Sequence, residues 1–392
     1  MITNLNLFNF ARTTELILEI PEKVKNPADF TSGFFSNPNS CYQAYINKLC
    51  LAAVLPWIRE DISVNAKPCP NTKALSSFWE VVNGSAVDLL DGTKLILVPT
   101  EAIDSEEIRV PQEWIDIPSW VGDYYLGIQV EPEANYVRVW GYCTHAQLKD
   151  CGTYDPSSRT YAVDDKQIID DISALATAIE FCSEENTRTT VAPVPHMSVQ
   201  HAQNLIERLG DSQIIEPRLE VPFSIWSGLV EHGGWRKSLY HRRLGCPEPY
   251  SVMRWLQEGM SQFVEQIGWQ SFNLELSAAT ARNIEETPVQ VAFSRQLIIA
   301  GQSYELCVTP KGEYTENIWR FELRNNNVGA VIPGGFKLRL LSEDLQPFPN
   351  NEDIATTAVE QLFVEVALET GEGIVWEIEP LPENYDCEIL RF

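Results

Sequence analysis

The run from Gly122 to Ile179, GDYYLGIQVEPEANYVRVWGYCTHAQLKDCGTYDPSSRTYAVDDKQIIDDISALATAI, decides how this chain is read. Tyr124, Leu126, Ile128 and Val130 alternate with Tyr125, Gly127 and Gln129, and Val137 and Val139 alternate with Arg138 and Trp140. Period-two alternation on both sides of the loop Glu131-Pro132-Glu133-Ala134-Asn135 predicts a β-hairpin. Thr144 and Gln147 have capping-box spacing, so a short helix starts there, and Gly152 can stop it in a left-handed conformation. After a turn at Tyr154 to Ser157, Arg159 to Val163 reads as a strand. Asp164 or Asp165 then caps a helix that buries Ile168, Ile172, Leu175 and Ile179.

Toward the N-terminus, Glu15 to Ile20 reads as a strand ended by Pro21. Ser40 to Leu55 reads as a helix capped by Asn39 or Ser40, which Pro56 ends or kinks. Phe78 to Val82 and Lys94 to Val98 read as paired strands joined through a turn at Asp91-Gly92. Beyond residue 191 the pattern becomes helical, with helices at Ser198 to Leu209, from Pro222 onward, at Trp235 to Arg243 and at Ser251 to Ile267. Period two returns near Pro288, in seven runs from Val289 to Phe392, the pattern of a β-sandwich. The expected fold is α+β: an N-terminal mixed α/β lobe with a helical segment, followed by a C-terminal all-β sandwich-like domain. The expected boundaries are 1–190, 191–286 and 287–392.

The composition excludes several classes. At 392 residues with 44% hydrophobic residues and eleven Trp, the chain can bury more than one core and is not a disordered chain. Its longest apolar run, Leu49 to Ile58, is broken by Pro56 and falls far short of the roughly 20 residues that span a membrane. No secretory signal is read at the start, so the nine Cys are expected to be reduced thiols in a cytoplasmic protein. A net charge of -26 repels nucleic acid and anionic membranes and suits a basic protein partner.

No phosphate-binding loop, dinucleotide fingerprint or nucleophile elbow occurs. Cys143, His145 and Cys151 have no evident fourth ligand and match no zinc spacing, so neither a metal nor any other cofactor is expected. Cys143 and His145 are the alternative reactive pair, which would need thiol and imidazole within hydrogen-bond reach. Arg236, Lys237, His241, Arg242 and Arg243 form the one strong basic cluster. It pairs with carboxylates of the chain itself, or it docks an acidic segment or a phosphate. Conversely, Leu340 to Leu390 holds thirteen Asp and Glu and no Lys or Arg. That acidic excess either protects sheet edges or docks a basic protein. Trp319 and Trp376 would serve a sugar-binding sandwich only if exposed; such Trp more often belong to a core.

The tract YVRVWGYCTHAQLKDCGTYDPSSRTYAVD (136–164) resembles a cyanobacterial family known as domain of unknown function 1822. IIDDISAL (168–175), EPRLEVPFSIWSGLV (216–230) and GGFKLRLLSEDLQPF (334–348) resemble it too, so the likeness covers most of the chain. The resemblance implies a cyanobacterial cytoplasmic protein, encoded beside signalling genes that include small sigma factors and caspase-like protease modules. It carries over no catalytic residue. The expected function is therefore a non-enzymatic regulatory or adaptor protein that binds a basic, possibly sigma-factor or signalling, partner. The alternative is a hydrolase with a cleft site between the lobes.

Overall fold

The computed structural model describes residues 14–25, 34–72, 74–89, 92–103, 106–181, 186–246, 249–274, 290–311, 317–327 and 329–392. They divide into two compact units, one of residues 1–197 and 207–232, the other of 198–206 and 233–392. The helical stretch expected at 191–286 is thus shared between the units. The expected 286/287 boundary lies outside the described residues.

In the first unit the strands are β1 (Leu16–Glu19), β2 (Lys67–Cys69), β3 (Ser85–Asp88), β4 (Lys94–Thr100), β5 (Glu107–Pro111), β6 (Tyr124–Glu131), β7 (Tyr136–Thr144), β8 (Thr153–Asp155) and β9 (Thr160–Asp164). Six of them form a sheet in the order β1-β7-β6-β4-β3-β2. All its ladders are antiparallel except β4 with β6. The hairpin read from alternation is β6–β7, with Leu126 opposite Tyr142 and Val130 opposite Val137. A smaller sheet has the order β5-β9-β8.

Helix α1 (Pro38–Asp61) covers the large sheet, burying Leu49, Val54 and Ile58 with Leu95, Leu97, Ile128 and Val139. It starts earlier than expected because Asn37 is the cap, accepting from the Ser40 N–H at 3.0 Å, with Pro38 at the first helical position that suits proline. It also runs through Pro56. Val54 and Ile58 flank the proline and are both fully buried, so packing outweighs the lost backbone bond.

Phe78 to Val82 is not a strand. Phe78 and Trp79 end helix α2 (Leu75–Trp79), Glu80 and Val81 follow it as a turn, and the partner of β4 is β3. A short apolar run does not separate helix from strand by its period. Here Gly84, at φ +111, marks the change of direction. Leu90 and Asp91 of the expected turn lie outside the described residues.

Helices α3 (Glu113–Asp116), α4 (His145–Asp150), α5 (Ser173–Phe181), α6 (Val199–Leu209) and α7 (Phe223–Glu231) follow in chain order. The capping box of α4 forms in full: Thr144 N–H donates to Gln147 Oε1 at 2.8 Å, and Gln147 N–H to Thr144 Oγ1 at 3.2 Å. The helix expected from Asp164 is interrupted. A 3-10 turn at Asp165–Gln167 precedes Ile169, which bridges to Tyr142, and α5 begins only at Ser173.

The second unit holds α8 (Gly233–Arg243), α9 (Val252–Glu258) and α10 (Gln262–Gln266), followed by strands β10 to β18. The helix expected from Ser251 to Ile267 breaks at Gly259, which takes φ +82. The strands are β10 (Trp269–Leu274), β11 (Gln290–Ile299), β12 (Gln302–Lys311), β13 (Ile318–Asn325), β14 (Lys337–Ser342), β15 (Glu352–Ile354), β16 (Gln361–Ala367), β17 (Gly373–Glu379) and β18 (Ile389–Arg391). β10 and β15 were not foreseen. Two antiparallel sheets, β10-β11-β12-β13-β16 and β15-β14-β17-β18, bury Leu306, Phe321, Leu362, Leu338, Trp376 and Leu390 in one core. The sheet-rich C-terminal part of an α+β fold is therefore present.

Candidate functional site

The first unit contains a cleft of about 570 Å³, within the roughly 300–1,000 Å³ usual for ligand sites. Several elements build it: the start of α1 (Asn39, Gln43), the loop after α2 (Glu80 to Asn83), the end of β4 (Val98 to Thr100), β5, the Trp140 indole and the segment Ile215 to Arg218. Gly127 makes room for the indole, since a Cβ there would lie 2.7 Å from Trp140 Cζ2 and 2.9 Å from Ile108 Cγ1.

Most of the polar groups in this cleft already have partners. Glu80 accepts from the backbone N–H and the hydroxyl of Ser36. Asn83 Nδ2 donates to Pro99 O at 3.0 Å, while its Oδ1 accepts from Asn47 Nδ2 at 3.0 Å. Arg218 grips Glu113 with Nε and Nη2 at 2.9 and 2.8 Å and donates to the carbonyls of Ser158 and Arg159. Arg109, half exposed, pairs with Glu107 at 2.8 Å and with Asp155 at 3.8 Å. Of the remaining lining, Glu107 is exposed in its pair with Arg109, Glu216 is exposed with no ion pair among the described residues, and Ile215 is 54% exposed. This arrangement can bind a ligand.

Cys143 and His145 stand apart from the cleft lining. Burial pushes the Cys143 thiol well above its ordinary value, which disfavours the thiolate. His145 is fully buried, and both ring nitrogens are engaged: Nδ1 accepts from Thr189 N–H at 3.1 Å, and Nε2 lies 2.9 Å from Ile115 O. Accepting at Nδ1 fixes a neutral ring with its proton on Nε2, donating to Ile115. The ring therefore serves as a structural link. Among the described residues no three His, Cys, Asp or Glu side chains are placed to hold a metal ion.

The basic cluster lies on α8, and Arg236, Lys237, His241 and Arg243 are buried, with Arg242 half-buried. Lys237 Nζ sits 3.2 Å from Asp386 and 3.3 Å from Glu388. Glu388, at 0% exposure, also takes Arg295 Nη2 and Trp269 Nε1, each at 2.9 Å. Burial pulls the Lys237 ammonium down, but Asp386 first and Glu388 with it raise it further, and the net direction is up. This is the intramolecular pairing weighed from the sequence, and the geometry gives Lys237 no exposed docking role. Arg295 projects into the core between Phe293 and Leu297, and its Nε and Nη1 have no hydrogen-bond partner among the described residues. Trp319 and Trp376 are core residues, at 4% and 0% exposure, so neither offers a sugar platform.

A family model described as Protein of unknown function (DUF1822) matches residues 18–391. The chain belongs to this family. No curated protein and no solved structure matches it. DUF1822 membership extends across both units and assigns no residue a role, so the site rests on geometry alone. No helix among the described residues is long and apolar enough to cross a membrane.

One consequence of the buried histidines can be measured. Burial lowers His145 below 6.5, and burial together with Lys237 lowers His241 further below that value. Above 6.5 both folded and unfolded chains hold these rings neutral. Below it the unfolded chain takes up protons that the native one refuses, so stability is lost as pH falls. The expected slope is up to about 1.4 kcal/mol per pH unit for each ring. Urea midpoints measured across this range should fall with acid, and less steeply in His145→Gln. An unchanged slope in that variant would remove His145 from the account.

Proposed function

We propose that this protein is a non-enzymatic regulatory or adaptor protein that binds a basic protein partner through its acidic C-terminal module. One observation carries this reading: five of the thirteen acids between Leu340 and Leu390 are turned outward without an ion pair among the described residues. Glu352, Glu360, Glu369, Glu372 and Glu383 are exposed, and none forms an ion pair among the described residues. Uncompensated surface charge of one sign raises the encounter rate with an oppositely charged partner and discriminates against wrong ones. The likeness to a cyanobacterial family encoded beside sigma factors and other signalling genes agrees with a regulatory role. The alternative, a hydrolase using acids or the Cys143/His145 pair, is favoured less, because the Cys143 thiol is buried and both ring nitrogens of His145 are engaged.

The test is capture by the full chain at low and at high salt, beside a variant with those five glutamates changed to lysine. The five sites are exposed, so the variant should fold. A basic protein should be retained by the wild type at low salt, released at high salt and missed by the variant. Equal capture by the variant, or binding indifferent to salt, would overturn the electrostatic reading.

A further inference from the structure

We propose that the open edge of β5 binds an extended segment of a partner protein as an added strand. The proposal rests on the reading that the protein binds a partner, but it places the contact in the first unit. β5 is the outer strand of the β5-β9-β8 sheet and, among the described residues, pairs only with β9. Gln112 N–H donates to Arg159 O, and Asp165 N–H to Glu106 O. In an antiparallel ladder, bonded and unbonded pairs alternate. With Glu106 and Gln112 bonded, the register makes Ile108 and Val110 the β5 residues that bond β9. Glu107, Arg109 and Pro111 fall in between, so their main-chain groups point away from β9, toward the open edge. Those three residues line the cleft.

The strand is short, charged and ended by proline, all features that discourage indiscriminate edge pairing. Such protection does not call for a cleft beside the edge, and here there is one. A five-residue edge at about 3.3 Å per residue offers about 16 Å of ladder. The walls specify the occupant. Exposed Glu107 and Glu216 line the cleft, and Glu106, Asp164, Asp165 and Lys166 line a second hollow that shares Glu107. Arg109 is paired with Glu107 and Asp155 and Arg218 with Glu113, which leaves Glu216, Glu106, Asp164 and Asp165 against Lys166, an excess of acid. Ile215 adds an exposed apolar contact. The fitting ligand is an extended peptide with lysine or arginine beside an aliphatic residue, held by main-chain bonds with side chains setting the choice.

The probe is a random dodecapeptide library displayed on phage and selected on the full chain. Enriched peptides should carry Lys or Arg, and their affinity should fall about tenfold or more for Arg109→Pro. That change removes the outward N–H and leaves the β9 bonds intact, as a proline on an edge strand can. Arg109→Ala keeps the N–H and should bind within about threefold of wild type. Should Arg109→Pro melt early, the same peptides with alternate amides N-methylated replace it and should lose binding to the wild-type chain. Enrichment of no peptide, equal binding by Arg109→Pro or tolerance of N-methylation would each overturn strand addition. The five-glutamate variant should keep this peptide binding. If it loses peptide binding while Arg109→Pro does not, the peptides sit on the acidic module, and the partner reading survives without the β5 site.

Discussion

Replacing Glu388 by alanine should cost the second unit about 3–5 kcal/mol, the range for removing one partner from a buried ion network. The carboxylate is completely buried and takes Lys237, Arg295 and the Trp269 indole. Without it Arg295 keeps no hydrogen-bonded anion in the core, and Lys237 retains only Asp386. The effect should appear as earlier hydrogen exchange in β10, β11 and β18, which the network ties to α8. Adding Arg295→Met and Lys237→Met to Glu388→Ala should recover part of the loss, because apolar groups need no partner. A loss below about 1 kcal/mol for the single change would mean that water reaches the network.

Glu113→Ala should have a similar cost, about 3–5 kcal/mol, in the first unit. Glu113 is fully buried at the start of α3, where it holds Arg218 by two bonds and Trp226 Nε1 by a third at 2.9 Å. Arg218 belongs to the turn that closes the cleft, and Trp226 to α7. The change therefore strands a buried guanidinium and an indole N–H together. Glu113→Gln keeps an acceptor and should lose less. Equal loss from both variants would show that charge, and not hydrogen bonding, holds the turn.

What the sequence made legible was local. The β6–β7 hairpin and the α4 capping box depend on residues within about ten positions of each other, and alternation and cap spacing report them directly. Most C-terminal strands were found for the same reason. What stayed hidden was decided at a distance. The helix of Arg236 to Arg243 looks like a basic surface until Asp386 and Glu388 arrive from some 150 residues away, a separation no pattern encodes. Phe78 to Val82 fits a strand's period as well as a helix's, and five residues are too few to separate the two.

The cleft as a whole has no signature in the sequence, since it is assembled from eight stretches of chain. One clue to it was present. Glu107–Pro111 alternates Ile108 and Val110 with charged residues and closes on a proline, and proline in a strand marks an edge. The acidic excess from Leu340 to Leu390 was plain in composition. Which of its members face outward needed the register of β14, β16 and β17.

Electrostatic recognition of a basic partner requires its affinity to depend steeply on salt. Titrating the captured partner against the wild-type chain and the five-glutamate variant should give a Kd that weakens steeply with salt for the wild type and nearly flat, weaker binding for the variant. Parallel salt slopes for the two proteins would contradict the account.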